Sequence, residues 1–579
     1  MDLLSPSFQK SATLACLLAA AAQAGQPRFT AQDALRAEWD RRPPAFTAAQ
    51  EARLGARDRA RLRLSLQRIG APGAPALLPP ELAQPTLAQW EALAAQARTA
   101  RERYDALFFL NRLKSPKALA ALDGLTVAEA RAWPRHLHLE GPVAAARVNG
   151  AEVSPALQAF LDELWQEGRI DPVRAQAATV RLTLAGREPG TPHLPLPPTL
   201  ASLDAWNRGP WAARAKEHLA LLGIALPPEP GAEPLPLGDT QRLLQGLPPE
   251  PLPEAEAAAL RALDGPPLQV MAALEYLAKL PDLPALAQVE QRARALAPDS
   301  PLWSGYLAVL RKHAPAAATA LDQTLLAGPD PLARSAAIED LPNAPADLEA
   351  LVRRLWSSAE YDGVQALLPA LERWQVPQRE ALLRRFLQHP CWTARLDAYT
   401  LLVKVEPKTP WPEAPAPGPA EAAILKEAQR LLKAGRPVRL RLQFSRGRQV
   451  TLRLDPANAP INVANLALLA RRGYFDHRRV PRVVPDFVVQ MGSPVDTMDG
   501  GPGYTVRCED SLHWYGPGSV GIALSGKDTG GSQFFITTNA APHLTGRYTR
   551  VGEVEDPGRA LPLLDQLELG AEILKVEVL

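Results

Sequence analysis

The stretch "SGKDTGGSQFFITTNAAPHLTGRYTRVGEV", residues 525–554, decides how the C-terminal part of this 579-residue chain folds. Its glycines, Ser-Gln pair, adjacent phenylalanines and β-branched run break with the Ala/Leu/Pro-rich sequence before it. A phosphate-binding loop is one candidate, since Gly521, Gly526 and Lys527 in "GIALSGKD" satisfy the first seven positions of G-x-x-x-x-G-K-[ST]. The eighth position fails. Asp528 stands where a hydroxyl should meet Mg²⁺, and its carboxylate would repel phosphate. The intervening Ile522, Ala523, Leu524 and Ser525 read instead as a strand.

The flanking sequence agrees with that strand reading. After Gly435, "VRLRLQF" and "QVTLRL" alternate apolar and polar residues around Ser445-Arg446-Gly447, which predicts a β-hairpin. "INVANLALLARRG" predicts a helix, and "FDHRRVPRVVPDFVVQMG", "GSVGIAL" and "SQFFITT" predict short strands bounded by Gly, Pro or Asp. Many short strands with few helices imply a closed β-barrel. On one strand Phe534 and Phe535 face opposite ways, whereas Val488 and Gln490, two apart, share a face.

Residues 436–579 resemble the cyclophilins, peptidyl-prolyl cis-trans isomerases built on a closed eight-stranded barrel with two helices. "APINVANLALLARRGYFD" is similar to the family's first strand-to-helix passage. "PRVVPDFVVQMG" resembles F-H-R-V-x-P-x-F-x-x-Q-G-G, with Pro481 in place of histidine. "GGSQFFITTNAAPHLTGRYTRVGEV" resembles G-S-Q-F-F-I-x-T…L-D-G-x-x-x-x-F-G. The resemblance implies Arg482 and Gln490 as catalytic residues. It implies Phe487, Val488, Ala523, Phe535, His543, Leu544 and Tyr548 as the substrate-binding wall, with Phe534 in the core. His543 stands where the family has a cleft tryptophan, and Tyr548 where it has a histidine. "LTG" replaces L-D-G, Arg550-Val551-Gly552 replaces V-F-G, and Gly492-Ser493 follows Met491 in place of G-G-D. These changes bear on rate and on cyclosporin-type binding more than on fold.

The chemistry such a family performs needs no nucleophile, metal or cofactor. Rotation about a peptide bond is opposed by about 18–20 kcal/mol of C–N double-bond character. A site that anchors proline and stabilises the twisted, pyramidal nitrogen lowers that barrier by differential binding. Arg482 suits the donor role because its guanidinium is forked and permanently charged.

Elsewhere the sequence is helical. Lys+Arg 64 against Asp+Glu 62 leaves a net charge of +2, so no global field favours nucleic acid or an acidic membrane. "RRGYFDHRRVPR" is basic, but its arginines serve the strand just described, and no nucleic-acid partner is expected. The three cysteines, Cys16, Cys391 and Cys508, form no C-x-x-C pair and exclude a disulfide framework. His136 and His138 lack a third ligand, so no metal is expected. The run Ala12–Ala22 followed by Ala22-Gln23-Ala24 predicts a signal peptide over 1–24 and export to the periplasm or cell envelope, with a cytoplasmic protein the alternative. Cys16 follows Leu14-Ala15, whereas lipoprotein signals place the leucine one position earlier, which argues against lipidation.

Residues 25–260 read as α-helical with Pro-rich connectors between 189 and 253. Over 261–405, units beginning at 301, 331, 361 and 392, with "PLQVMAALEYL" at 267 as an earlier member, step by about 30 residues and resemble HEAT repeats. Six prolines at 407, 410, 412, 415, 417 and 419 mark 406–419 as a stiff linker. A lead-in helix then opens the domain over 420–579. The chain is thus expected to be a multidomain isomerase of X-Pro bonds in protein substrates, its repeats holding substrate or a partner. A proline-binding scaffold without turnover is the alternative.

Overall fold

Proline opens several helices of this chain, at Pro267, Pro315, Pro331 and Pro419, where its missing N–H leaves no hydrogen bond unmade. The structure, a computed structural model, describes residues 28–78, 86–113, 253–339, 341–484 and 487–579, with Pro155 alone between them. The expected signal peptide, His136, His138 and most of the Pro-rich connectors lie outside the described residues. The described residues up to Leu77 form one compact unit, and those from Leu78 to Leu579 a second. In the first, helices Ala31–Asp40 and Ala56–Ile69 enclose Phe29, Leu54 and Leu62, and Glu38 pairs with Arg68 at 3.1 Å while both are buried.

In the second unit the repeat starts coincide with helices. Pro267–Lys279, Trp303–His313, Pro331–Glu339, Tyr361–Arg373 and Trp392–Leu402 each begin at or within two residues of a predicted unit. Neighbouring units share cores: Leu274, Leu277, Tyr306 and Val309 in one, Val364, Leu367, Leu383 and Ala394 in the next. No unit could bury such surface alone, which is why they stack. Arginines tie successive units: Arg311 donates to Asp322 and to the Ala336 carbonyl, each at 3.0 Å, and Arg373 donates to the Ile338 and Leu341 carbonyls. The Pro-rich segment carries no helix or strand before Pro419 and lies against the last repeat helix, with Trp411 5.0 Å from Tyr399 and 5.8 Å from Trp392.

After Gly435 the chain becomes β. The strands are β1 (Val438–Phe444), β2 (Gln449–Leu454), β3 (Arg478–Arg479), β4 (Arg482–Val484), β5 (Val488–Met491), β6 (Ser519–Ile522), β7 (Phe534–Thr537), β8 (Arg550–Val554) and β9 (Glu572–Val578). All pairs are antiparallel, and the order is β3-β9-β1-β2-β8-β6-β7-β5-β4. The expectation of a closed eight-stranded barrel is therefore corrected to a curled nine-stranded sheet, open between β3 and β4. Those two edges are consecutive in the chain, separated by Val480-Pro481, and proline has no N–H to extend a ladder. Two helices, Pro460–Arg471 and Pro557–Asp565, accompany the sheet. The lead-in helix Pro419–Ala434 packs on the first of them, where Glu427 accepts from Arg430 and from Arg471 at 2.7 Å.

Candidate active site

One row of residues across four strands builds the site. Arg482 on β4 stands opposite Gln490 on β5, Gln490 opposite Phe535 on β7, and Phe535 opposite Gly521 on β6. Directly paired residues share a face, so the register alone gathers a guanidinium, an amide, an aromatic ring and a vacancy. The vacancy matters. A Cβ at Gly521 would lie 2.4 Å from Phe535 Cζ and 2.5 Å from the Tyr515 hydroxyl, so glycine is what admits the ring there.

Two residues along the strands, Val484 faces Val488. Val488, Tyr515, Phe535, Ala541 and Leu544 form a buried apolar cluster, with Val484, Phe487, Ala523 and Tyr548 partly buried around it. Tyr515 lies nearly parallel to Phe535 at 5.9 Å, and Tyr548 meets Phe535 edge-on at 5.9 Å. Phe534 takes the other face and packs edge-on against Phe475 at 5.8 Å, as period-2 alternation requires.

A one-way chain of hydrogen bonds fixes the polar groups. Gln533 Nε2 donates to the carbonyls of Met498 and Gly500 at 2.9 and 3.0 Å. Carbonyls only accept, so the Gln533 Oε1 must face the pocket side, where it accepts from Gln490 Nε2 at 3.0 Å. Gln490 Oε1 in turn accepts from Arg482 Nη1 at 3.2 Å. Arg482 also sits 5.9 Å above the Phe487 ring. Burial pulls its pKa below the ordinary arginine value, which marks a partly dehydrated cation.

The rim has an aromatic stack. His543, in the short 3₁₀ turn Pro542–Leu544, lies between Phe487 at 5.3 Å and Phe108 at 5.2 Å. Phe108 belongs to the helix Ala100–Arg112, far away in sequence. That helix is anchored by Tyr104, whose hydroxyl donates to the Ala540 carbonyl at 2.7 Å, and by Asp105, which accepts from the Trp514 indole at 3.0 Å.

The structure thus brings Arg482, Gln490, Phe487, Val488, Ala523, Phe535, His543, Leu544 and Tyr548 to one site. Sequence reasoning missed Gly521, Tyr515, Gln533 and Phe108. Gln533 stood inside the quoted Gly-Ser-Gln-Phe-Phe run; Tyr515 and Phe108 left no local signal.

The family profile described as "Cyclophilin type peptidyl-prolyl cis-trans isomerase/CLD" matches residues 439–576. Peptidyl-prolyl cis-trans isomerase B of Bacillus subtilis is 46% identical over 110 residues, 19% of this chain and 77% of that protein. A peptidyl-prolyl cis-trans isomerase of Synechococcus elongatus is 38% identical over 129 residues, 22% of this chain and 88% of that one. Among solved structures, a cyclophilin-type isomerase of Cryptosporidium parvum aligns with 25% of this chain and 98% of its own at 24% identity and a TM-score of 0.23.

Proposed function

Given that the chain belongs to the cyclophilin-type peptidyl-prolyl cis-trans isomerases through residues 439–576, we propose that Arg482 is the group that drives its isomerisation of X-Pro bonds. Phe535, Val488 and Leu544 hold the proline ring in the apolar cluster, with Phe487, Ala523, His543 and Tyr548 around it. Gln490 meets the substrate backbone. As the bond twists, the prolyl nitrogen loses conjugation and becomes pyramidal and basic; an Arg482 N–H donates to its lone pair. That hydrogen bond exists only in the twisted state, so it accelerates the reaction without tightening the ground state.

The observation that carries this reading is the row Arg482–Gln490–Phe535, held by the Gln533 chain before any substrate arrives. A protease-coupled assay on an Ala-Pro peptide tests it. Arg482→Ala should lower kcat/KM by roughly a hundredfold, the scale of losing one preorganised donor, with an unchanged circular dichroism spectrum. Unchanged kcat/KM in a folded variant would refute the role.

A second reading, a scaffold that binds proline segments with little turnover, draws on His543 and Tyr548 and on the Phe108 ring stacked at the rim. We also propose export. Intact-mass analysis of protein from the cell envelope should find a mature N-terminus at Gly25, and a retained Met1 there would contradict it.

A further inference from the structure

A groove of about 660 Å³ runs between the repeat helices and the sheet, within the range of about 300–1,000 Å³ that ligand sites take. On the sheet side it is lined by Gln490, Ala523 and Gln533, so it opens directly from the proline pocket. On the other side stand residues from the helices Pro331–Glu339 and Tyr361–Arg373, among them Ser335, Glu339, Asp362 and Gln365.

The two walls are held at a fixed spacing. Trp392 donates its indole N–H to Asp528 at 2.7 Å, and the Arg507 guanidinium lies 5.3 Å above the Trp392 ring. The Thr393 and Thr505 hydroxyls are 2.7 Å apart, and Gln365 Nε2 donates to the Ser525 carbonyl at 3.3 Å. A groove so braced is part of the resting structure.

Its charge is one-sided. Asp330, Glu339, Asp362 and Asp499 line it, and among the described residues no Lys, Arg or His does. Asp330 caps its own helix by accepting from the Ala333 N–H at 2.7 Å, and the nearby Arg334 is committed to Glu360. Burial raises the Asp362 carboxyl, and the facing Asp499 raises it further. Burial raises Asp499 as well. An ammonium or guanidinium entering between them would offset the repulsion between the two carboxylates.

We infer that the groove receives the polypeptide flanking the X-Pro bond, and that the repeat helices select a lysine or arginine in that flank. The inference rests on the isomerase reading for its substrate. Gln490 and Gln533 stand beside the apolar cluster and line the groove, so one flank of a chain whose proline sits on Phe535 has a direct path into it. The repeats therefore serve as the second wall of the substrate site, three of whose four carboxylates they supply.

The test uses the full chain and Ala-Pro peptides carrying Lys, Glu or only Ala two to four residues before or after the proline. The Lys-to-Glu preference is read twice by NMR, from cis/trans exchange rates and from Kd, so that binding without turnover still reports selection. On one flank, both ratios should reach roughly tenfold at low ionic strength and shrink as salt is added. In the Asp362→Asn/Glu339→Gln variant both ratios should fall to about one, with the circular dichroism spectrum unchanged. Ratios near one on both flanks in the native protein, or a preference that survives the double substitution, would overturn the inference. Exchange no faster than the spontaneous rate for every peptide would instead sink the isomerase reading while the Kd ratio still judged the groove.

Discussion

At Gly521 the site depends on an absent side chain. Phe535 fills the space a Cβ would need, so Gly521→Ala forces the ring out of the proline pocket or pushes against the buried Tyr515 hydroxyl. Overpacking of this kind costs about 1–3 kcal/mol. The variant should melt at a lower temperature, and kcat/KM should fall by roughly a hundredfold because the pocket floor is displaced. Full activity in Gly521→Ala would show that Phe535 does not define the pocket. At this scale much was legible in the sequence. Arg482, Gln490, Phe487 and Val488 lie within nine residues, and period-2 alternation sorts them to faces before any tertiary contact is known. The Gln533 chain was not legible, because it ends on the carbonyls of Met498 and Gly500, whose place depends on how a loop returns. The role of Arg482 and its neighbours in binding remains the proposal that the variants test.

Elements show the same division. The hairpin β1–β2 was readable from alternation around Ser445-Arg446-Gly447, and the register Leu440↔Leu452 matches it. Closure is not readable from the pattern, since Pro481 lies between the two edge strands where alternation alone reads as continuous. The helix Ala100–Arg112 was readable as a helix, yet nothing local says that Phe108 stacks on His543. Its docking should respond to pH. Burial pushes the Asp105 carboxyl up to about 6, against the Trp514 indole N–H and Arg101, which lower it, while Glu102 raises it slightly. A raised pKa means that docking favours the protonated acid. Its contribution is full below the ordinary carboxylate range and fades as pH rises through about 6. Hydrogen exchange over residues 100–112, corrected for intrinsic rates, should be slower at pH 5 than at pH 7.5. Asp105→Asn should flatten that difference. Equal protection at both pH values in the native chain would contradict the account. Glu427 gives the opposite sign. Arg430 first, and Arg471 with it, hold its carboxyl at about 2 against burial, so its tie between two helices is present above the ordinary range and lost only as pH falls towards 2.

Among the described residues, buried hydrogen bonds at Trp392 and Thr393 join the repeats to the sheet domain. Trp392 is 1% exposed, with its indole N–H on Asp528. Trp392→Phe keeps a ring but leaves a buried carboxylate short of a donor, a loss of about 1–3 kcal/mol. It should lower the thermal midpoint and weaken the preference for basic flanks, while an Ala-Pro peptide without charges is turned over as before. Unaltered flank preference in that variant would separate the seam from the groove. Six prolines exclude regular structure from the stretch 406–419; that Trp411 within it packs on Tyr399 and Trp392 is a long-range contact that composition does not carry. The central question for the molecule is whether this site catalyses rotation or only holds proline. Two-dimensional exchange NMR of an Ala-Pro peptide with substoichiometric full-length protein decides it. Cross-peaks between the cis and trans resonances should appear with the native chain and vanish with Arg482→Ala, which still shifts the peptide resonances. Shifts that report binding to the native chain, with cross-peaks no stronger than in the peptide alone, would contradict catalysis.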